Sequence, residues 1–199
     1  MIDRQEITAL ILAGGKSRRM GGRDKGLLPF GDGLLVGHVL DAIRPQVGAV
    51  LISANRHHEE YRQFDVPVLA DPLDDFQGPL AGFLAGLRYI QTDYLLTLPC
   101  DGPVIVDDLA QRLAAGLSGS GADIAVAHDG NRLQPVYAML NRNVLPDLVL
   151  ALGEGERKID RWYARNHWVT VDFSDVPQQF SNINTPEDYA SAATSRPEA

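Results

Sequence analysis

"ITALILAGGKSRRMGGRDK" (residues 7–25) begins as an apolar run and ends in four glycines and five basic side chains. Continuous apolarity from Ile7 to Ala13 predicts a strand covered on both faces. A glycine-rich turn directly after such a strand lets backbone N–H groups converge on an anion, and neighbouring Lys and Arg neutralise its charge. Phosphate is the natural guest of a turn of this kind. Two familiar versions fail on the letters. A Walker A loop would place its first glycine where Leu10 stands, although "GKS" (15–17) is present. A dinucleotide fingerprint spaces its glycines two and three apart, whereas here they fall at 14, 15, 21 and 22. The competing reading is a surface loop with solvated charges, which its position at the ligand-binding edge of a sheet argues against.

The charge of this segment stands out against the rest of the chain. The protein has 199 residues and a formal net charge of −8, yet residues 16–25 carry a local balance of +4. A predominantly acidic body repels a nucleic-acid backbone, and no second basic stripe with interleaved aromatics occurs, so a compact anion fits better than a polymer. Cys100 is the sole cysteine, which rules out an internal disulfide and predicts a reducing, cytoplasmic setting. The N-terminal apolar run is too short for a signal sequence or a membrane span, and no membrane partner is expected.

Further short apolar runs predict strands: "AVLISA" (49–54), "PVLAD" (67–71), "YLLTLP" (94–99), "DIAVAH" (123–128) and "WVTVDF" (168–173). Apolar stripes at helical spacing lie between them: Leu35, Val36, Val39, Leu40 and Ile43; Leu80, Phe83, Leu84, Leu87 and Ile90; Ile105, Leu109, Leu113 and Leu117. This alternation predicts an α/β layered fold with a mostly parallel sheet and ligands at the carboxyl ends of its strands. "RLQPVYAML" (132–140) predicts an irregular or antiparallel strand, because Pro135 cannot donate to a ladder. "NTPEDYASAA" (184–193) predicts a last helix, capped by Thr185 with Pro186 at its first position. The chain reads as one domain spanning 1–199, with a frayed tail at 194–199.

Several residues at predicted strand ends have two readings. Asp101 closes "LLTLPCD" (95–101) and is either a turn former or a hard oxygen ligand suited to Mg²⁺. Asp71, before Pro72, reads as a turn former. Asn55 is a loop residue or a reader of a purine edge or ribose hydroxyl. In "QGPLAG" (77–82), Gly78 and Gly82 clear the way for close backbone approach and Pro79 fixes the turn. Cys100 reads as packing, since no His pairs with it, and "HHEE" (57–60) lacks metal-ligand spacing. "GEGERK" (153–158) is a turn between helices whose Arg157 and Lys158 could equally approach a second anion. Asn182 and Asn184 precede the last helix and read as caps.

The pattern formed by Leu12, Ala13, Gly14, Gly15, Ser17, Arg19, Met20, Gly21, Asp24 and Lys25 resembles the signature of the molybdenum cofactor guanylyltransferases, the MobA proteins. "SANRHHEEY" (53–61), "DPLDDFQGPLAG" (71–82), "LPCDGP" (98–103), "GERK" (155–158) and "NINTPEDY" (182–189) are similar to segments of that family in the same order. The resemblance implies a three-layer, Rossmann-like nucleotidyltransferase fold. It implies nucleotide binding by Leu12, Ala13, Gly14, Gly15, Lys25, Asn55, Asp71, Asp101 and the Gly78, Pro79, Leu80, Gly82 segment, the last around the base. It implies Mg²⁺ on Asp101, catalytic roles for Lys25, Arg19 and Asp101, and second-substrate contacts by Arg157, Lys158, Asn182 and Asn184. Where some members carry asparagine, this chain has Ser53, so a base contact at 53 is not carried over.

Transfer of GMP from GTP to the terminal phosphate of molybdenum-molybdopterin, with release of pyrophosphate, is the implied reaction. The implied partners are GTP, the molybdopterin cofactor, and the molybdoenzyme apoproteins or their chaperones. A phosphate monoester has a second pKa of roughly 6 and needs no general base, which agrees with the lack of any Ser-His-Asp arrangement. Related enzymes using CTP tend to read "LAAG" where this chain reads "LAGG", so the second glycine, Gly15, is the expected determinant of the base. A cytidylyl- or other nucleotidyltransferase of the same fold is one alternative. A non-catalytic nucleotide-binding carrier of the cofactor is another.

Overall fold

A computed structural model describes residues 1–15, 23–72, 78–183 and 188. The strands of its main sheet are β1 (Ile7–Leu12), β4 (Ala49–Ser53), β5 (Val68–Leu69), β6 (Tyr94–Pro99), β7 (Ile124–His128), β8 (Leu133–Asn141) and β9 (Trp168–Asp172). A small hairpin pairs β2 (Pro29–Phe30) with β3 (Gly33–Leu34). The seven-stranded sheet has the order β5-β4-β1-β6-β8-β7-β9. β1 runs parallel to both β4 and β6, with Leu12 opposite Ser53 on one side and Pro99 on the other. β8 is antiparallel to β6 and β7, and β9 returns parallel to β7.

The helices are α1 (Leu35–Ile43), α2 (His58–Arg62), α3 (Pro79–Tyr89), α4 (Leu109–Ser120), α5 (Leu145–Gly153) and α6 (Ile159–Tyr163). Apolar residues of α1 and α4 pack on one face of the sheet with Ile11, Ile52, Leu98 and Met139. Those of α3, α5 and α6 pack on the other with Leu10, Leu51, Leu95 and Leu140. The mostly parallel sheet is therefore covered on both sides, as its continuous apolar runs require. Burying such faces supplies on the order of 25 cal/mol per Å² of apolar surface.

Two local expectations are corrected or sharpened. Ile105 is buried but precedes α4, which starts at Leu109 after Asp108; the segment before it is tied down instead by Val106 N–H donating to Gln179 Oε1 at 2.9 Å. Pro135 does sit in an antiparallel strand, at a register slip between Val126 and Ala127 where pairing passes from Ala138 to Gln134. The missing proline donor thus falls where the ladder is already interrupted. Side chains take up the carbonyls there: Thr97 Oγ1 donates to Val136 O at 2.7 Å and Tyr163 OH to Pro135 O at 2.7 Å. Apart from Asp188, the expected last helix lies outside the described residues. No helix among the described residues is long and apolar enough to cross a membrane.

Candidate active site

Because β1, β4 and β6 are parallel and in register, the residues after each emerge together at one edge. Ala13 N–H donates to Ser53 O at 2.8 Å, Cys100 N–H to Leu12 O at 3.1 Å, and Ala54 N–H to Leu69 O at 2.9 Å. These bonds carry the ladders one residue past the strands and fix where Gly14, Asn55, Asp71 and Asp101 begin. Edges of this kind are where open α/β sheets bind ligands.

Lys25 and Asp101 form the charged half of the site. Lys25 Nζ lies 2.8 Å from Asp101 Oδ2, with side chains 17% and 12% exposed. The lysine starts a 3-10 turn (Lys25–Leu27). Asp24 before it is buried and accepts a hydrogen bond from Tyr61 OH of α2 at 2.5 Å. Burial, with Cys100 and Asp24 close by, pushes the Tyr61 phenol far up, so it remains a donor. Sequence reasoning missed this anchor; the letters give no sign that Tyr61 and Asp24 meet.

Asn55 and Asp71 form the hydrogen-bonding half. Asn55 Nδ2 donates to Asp71 Oδ2 at 2.5 Å, and Asp71 N–H donates back to Asn55 Oδ1 at 2.9 Å. Ser53 Oγ donates to Asp71 Oδ1 at 3.3 Å. Ser53 is 1% exposed, so its hydroxyl is turned to Asp71 rather than to an open base site. Burial pushes the Asp71 carboxyl up from its ordinary value, while the bonds from Asn55 and Ser53 pull it back. Arg56, also not anticipated, donates from Nη2 to Gly15 O at 3.3 Å and ties the loop to this half.

The "QGPLAG" segment divides by role. Gly78 has φ +83°, which an L side chain rarely adopts, and Pro79 starts α3 behind it. Both are exposed at the edge. Leu80 is fully buried in the core, and a Cβ on Gly82 would stand 2.6 Å from Leu12 Cδ2 and 3.1 Å from Ser53 Oγ. Leu80 and Gly82 therefore seat the helix against the strands; the room that Gly82 leaves is taken by Leu12 and Ser53. The "GERK" turn joins α5 to α6 and meets this segment: Arg157 O lies 3.8 Å from a Cβ built on Gly78. The Arg157 guanidinium donates to Leu152 O at 2.9 Å and Glu156 O at 2.7 Å, whereas Lys158 is exposed.

At the other side, Ile183 N–H donates to Asp101 O at 2.8 Å, which brings Asn182 to the Asp101–Gly102 turn. Arg19 and Asn184 lie outside the described residues. Cys100 is buried, and burial, with Asp101 and Asp24 nearby, pushes its thiol well up, as a packing residue requires. His57 Nδ1 lies 3.3 Å from Glu60 Oε1 on the exposed surface. Letter by letter, "LAAG" differs from "LAGG" at Gly14, not Gly15, and the geometry separates the two. A Cβ on Gly14 would stand 3.1 Å from Asn55 Nδ2, while one on Gly15 meets nothing within 4 Å. Of the two glycines, Gly14 is the one whose side-chain position meets the protein.

The donor set can be tested against a divalent cation. Among the described residues, no three His, Cys, Asp or Glu side chains gather around one point. Asp101 supplies one hard carboxylate, so oxygens of a bound substrate would have to complete a shell. Mg²⁺ accepts that arrangement, commonly taking one or two carboxylates plus substrate phosphates. The residues fit.

A family profile described as the MobA-like NTP transferase domain matches residues 9–170, which span this edge apart from Asn182 and Ile183. The chain belongs to the MobA-like NTP transferase family. A protein named molybdenum cofactor guanylyltransferase from Shewanella loihica is 47% identical over 182 residues, 92% of this chain and 93% of its own length. Its namesake from Shewanella piezotolerans is 45% identical over 91% of this chain and 89% of its own length. The crystal structure of molybdopterin-guanine dinucleotide biosynthesis protein A from Archaeoglobus fulgidus superposes with a TM-score of 0.78 at 21% identity, covering 94% and 96% of the two chains. A 4-diphosphocytidyl-2C-methyl-D-erythritol synthase from Anaerococcus prevotii superposes at 0.74 and 11% identity, covering 95% of each. Those two likenesses concern the fold, a Rossmann-like sheet of nucleotidyltransferases.

Proposed function

We propose that this chain, as a single domain, transfers GMP from GTP to the terminal phosphate of molybdenum-molybdopterin and releases pyrophosphate. The observation that carries the reading is the Lys25–Asp101 pair at 2.8 Å, beside the loop of Gly14 and Gly15, in a chain so similar to named guanylyltransferases. A cation and a carboxylate side by side at a phosphate-binding edge can separate onto ligands of opposite charge. Lys25 then neutralises phosphate oxygens, and Asp101 would be the residue to hold a divalent metal.

The acceptor is a phosphate monoester, largely ionised at neutral pH, and its oxygen attacks the α-phosphorus without a general base. The Pα–O bond to pyrophosphate breaks as the new Pα–O bond forms. The protein's task is to hold two anions in line and to offset charge on the leaving group. Lys25, Arg19 and the N–H groups of Gly14 and Gly15 do this, while Asn55, Asp71, Gly78 and Pro79 hold the nucleoside. Mg²⁺ bound at Asp101 would supply charge neutralisation of the polyphosphate. Lys158, Asn182 and Asn184 approach the acceptor; Arg157 acts chiefly by holding the turn that carries Lys158, through Leu152 O and Glu156 O.

Incubating the protein with GTP, Mg²⁺ and molybdenum-loaded pterin, then measuring product mass, tests base, acceptor and chemistry together. A guanylylated pterin with one pyrophosphate per turnover is expected. Preference for CTP would leave a cytidylyltransferase. GTP binding without pyrophosphate would leave a carrier.

A further inference from the structure

The register slip in β8 has an effect beyond accommodating Pro135. Pairing with β7 jumps from Ala138 to Gln134, and the ladder with β6 ends at Ala138 opposite Thr97. Tyr137 therefore stands outside both ladders, at the carboxyl edge, in the kind of bulge that re-aims a side chain near an active site. Its ring is 1% exposed and packs edge-on against Phe180, with centroids 5.0 Å apart.

The hydroxyl of that ring has no hydrogen-bond partner among the described residues. It lies against Gly102, where any Cβ would overlap it, and the same Cβ position is 3.1 Å from Asn182 Oδ1. Gly102 directly follows Asp101. A buried hydroxyl without a partner disfavours folding, whereas a phenylalanine ring would pack on Phe180 without that cost. The oxygen is thus explained by something other than packing. Burial, with Asp101 and Cys100 nearby, pushes its pKa up, so it is a donor at neutral pH.

We propose that Tyr137 is a positioning residue whose hydroxyl donates a hydrogen bond to a water or phosphate oxygen of the cation–polyphosphate unit engaged by Asp101. The proposal rests on the nucleotidyl-transfer reading above. It makes the bulge in β8 a functional device: the slip that admits Pro135 also delivers a phenol to the metal-binding turn, and the lack of a side chain at residue 102 makes room for it.

The test is Tyr137→Phe in the full chain, with Mn²⁺ and the non-hydrolysable analogue guanosine 5′-(α,β-methylene)triphosphate as probes. Outer partners of metal ligands typically contribute about 10–100-fold in metal affinity or activity. An approximately tenfold weaker Mn²⁺ affinity in the nucleotide complex is expected by electron paramagnetic resonance titration. Nucleotide binding without metal should weaken less than binding of the Mn²⁺ complex, kcat should fall more than KM rises, and the ligand-free melting temperature should hold or increase. Wild-type Mn²⁺ affinity and line shape in the variant would overturn the role of Tyr137 alone. Absence of any Mn²⁺–nucleotide complex in the wild type would overturn the transfer reading itself, and this proposal with it.

Discussion

Asp101 and Asp71 both follow parallel strands at the same sheet edge, yet their surroundings differ in kind. Asp101 is paired with Lys25 at 2.8 Å, whereas Asp71 is held by the amide of Asn55 and the hydroxyl of Ser53 and, among the described residues, forms no ion pair. One carboxylate can exchange a cationic partner for another. The other is fixed by neutral donors that also orient Asn55. The edge thereby divides into a half that handles phosphate charge and a half that holds shape, and replacing each acid in turn should separate the two.

The largest loss is expected on the charged side. Asp101→Ala should lower the rate of pyrophosphate release by about 10³-fold, and Lys25→Ala by about 10²-fold, in line with the loss of preorganised electrostatic contacts. Because the two groups contact each other, the double variant should lose less than the two losses combined. Stopped-flow turnover with saturating GTP checks all three. Near wild-type turnover for Lys25→Ala would remove the lysine from the mechanism and leave its pair with Asp101 a structural one.

A middle-sized effect is expected at the boundary between the halves. Gly14→Ala puts a methyl 3.1 Å from Asn55 Nδ2, so Asn55 must shift by a few tenths of an ångström, which loosens its bonds to Asp71. GTP affinity should fall roughly tenfold, a change of about 1.4 kcal/mol, while Gly15→Ala, with nothing within 4 Å, disturbs no protein contact. Calorimetric titration of both variants with GTP and CTP reads the effect. Equal loss in the two variants would mean that the bound nucleotide, not Asn55, meets the methyl.

The division of the edge was only partly legible in the sequence. Strand ends were, because continuous apolar runs stop where chemistry-bearing residues begin, as "LLTLP" does before Cys100 and Asp101. So was the irregularity of β8, because proline cannot donate. Contacts made across the fold were not. Tyr61 meets Asp24 across 37 positions, Arg56 reaches Gly15 across 41, and the aim of Tyr137 depends on how β8 slips against β7. Nothing in the local pattern distinguishes these residues from ordinary core or surface positions. What Gly82 approaches was not legible for a related reason: a glycine-rich stretch signals close approach, and only the fold shows that Leu12 and Ser53 of the neighbouring strands make it.

The smallest effect is expected at Asp71, and it has opposite signs for binding and stability. Burial raises the folded-state pKa of this carboxyl above its ordinary value of 3.8. The folded chain therefore holds the proton more tightly than the unfolded chain, and stability from this group is lost as pH rises from the unfolded value through the folded one. Above that window the charged carboxylate is a constant, modest penalty. Asp71→Asn removes the penalty while keeping an acceptor for Asn55 Nδ2. The ligand-free variant should therefore melt slightly higher than wild type at pH 7 and converge with it below pH 3.8. Its affinity for GTP should nevertheless fall, because the amide cannot offer two acceptor oxygens. Thermal melts across pH, set beside GTP titration at pH 7, separate the two. A lower melting temperature at pH 7 would mean that the bonds from Asn55 and Ser53 outweigh burial and that Asp71 braces the edge as well as serving it.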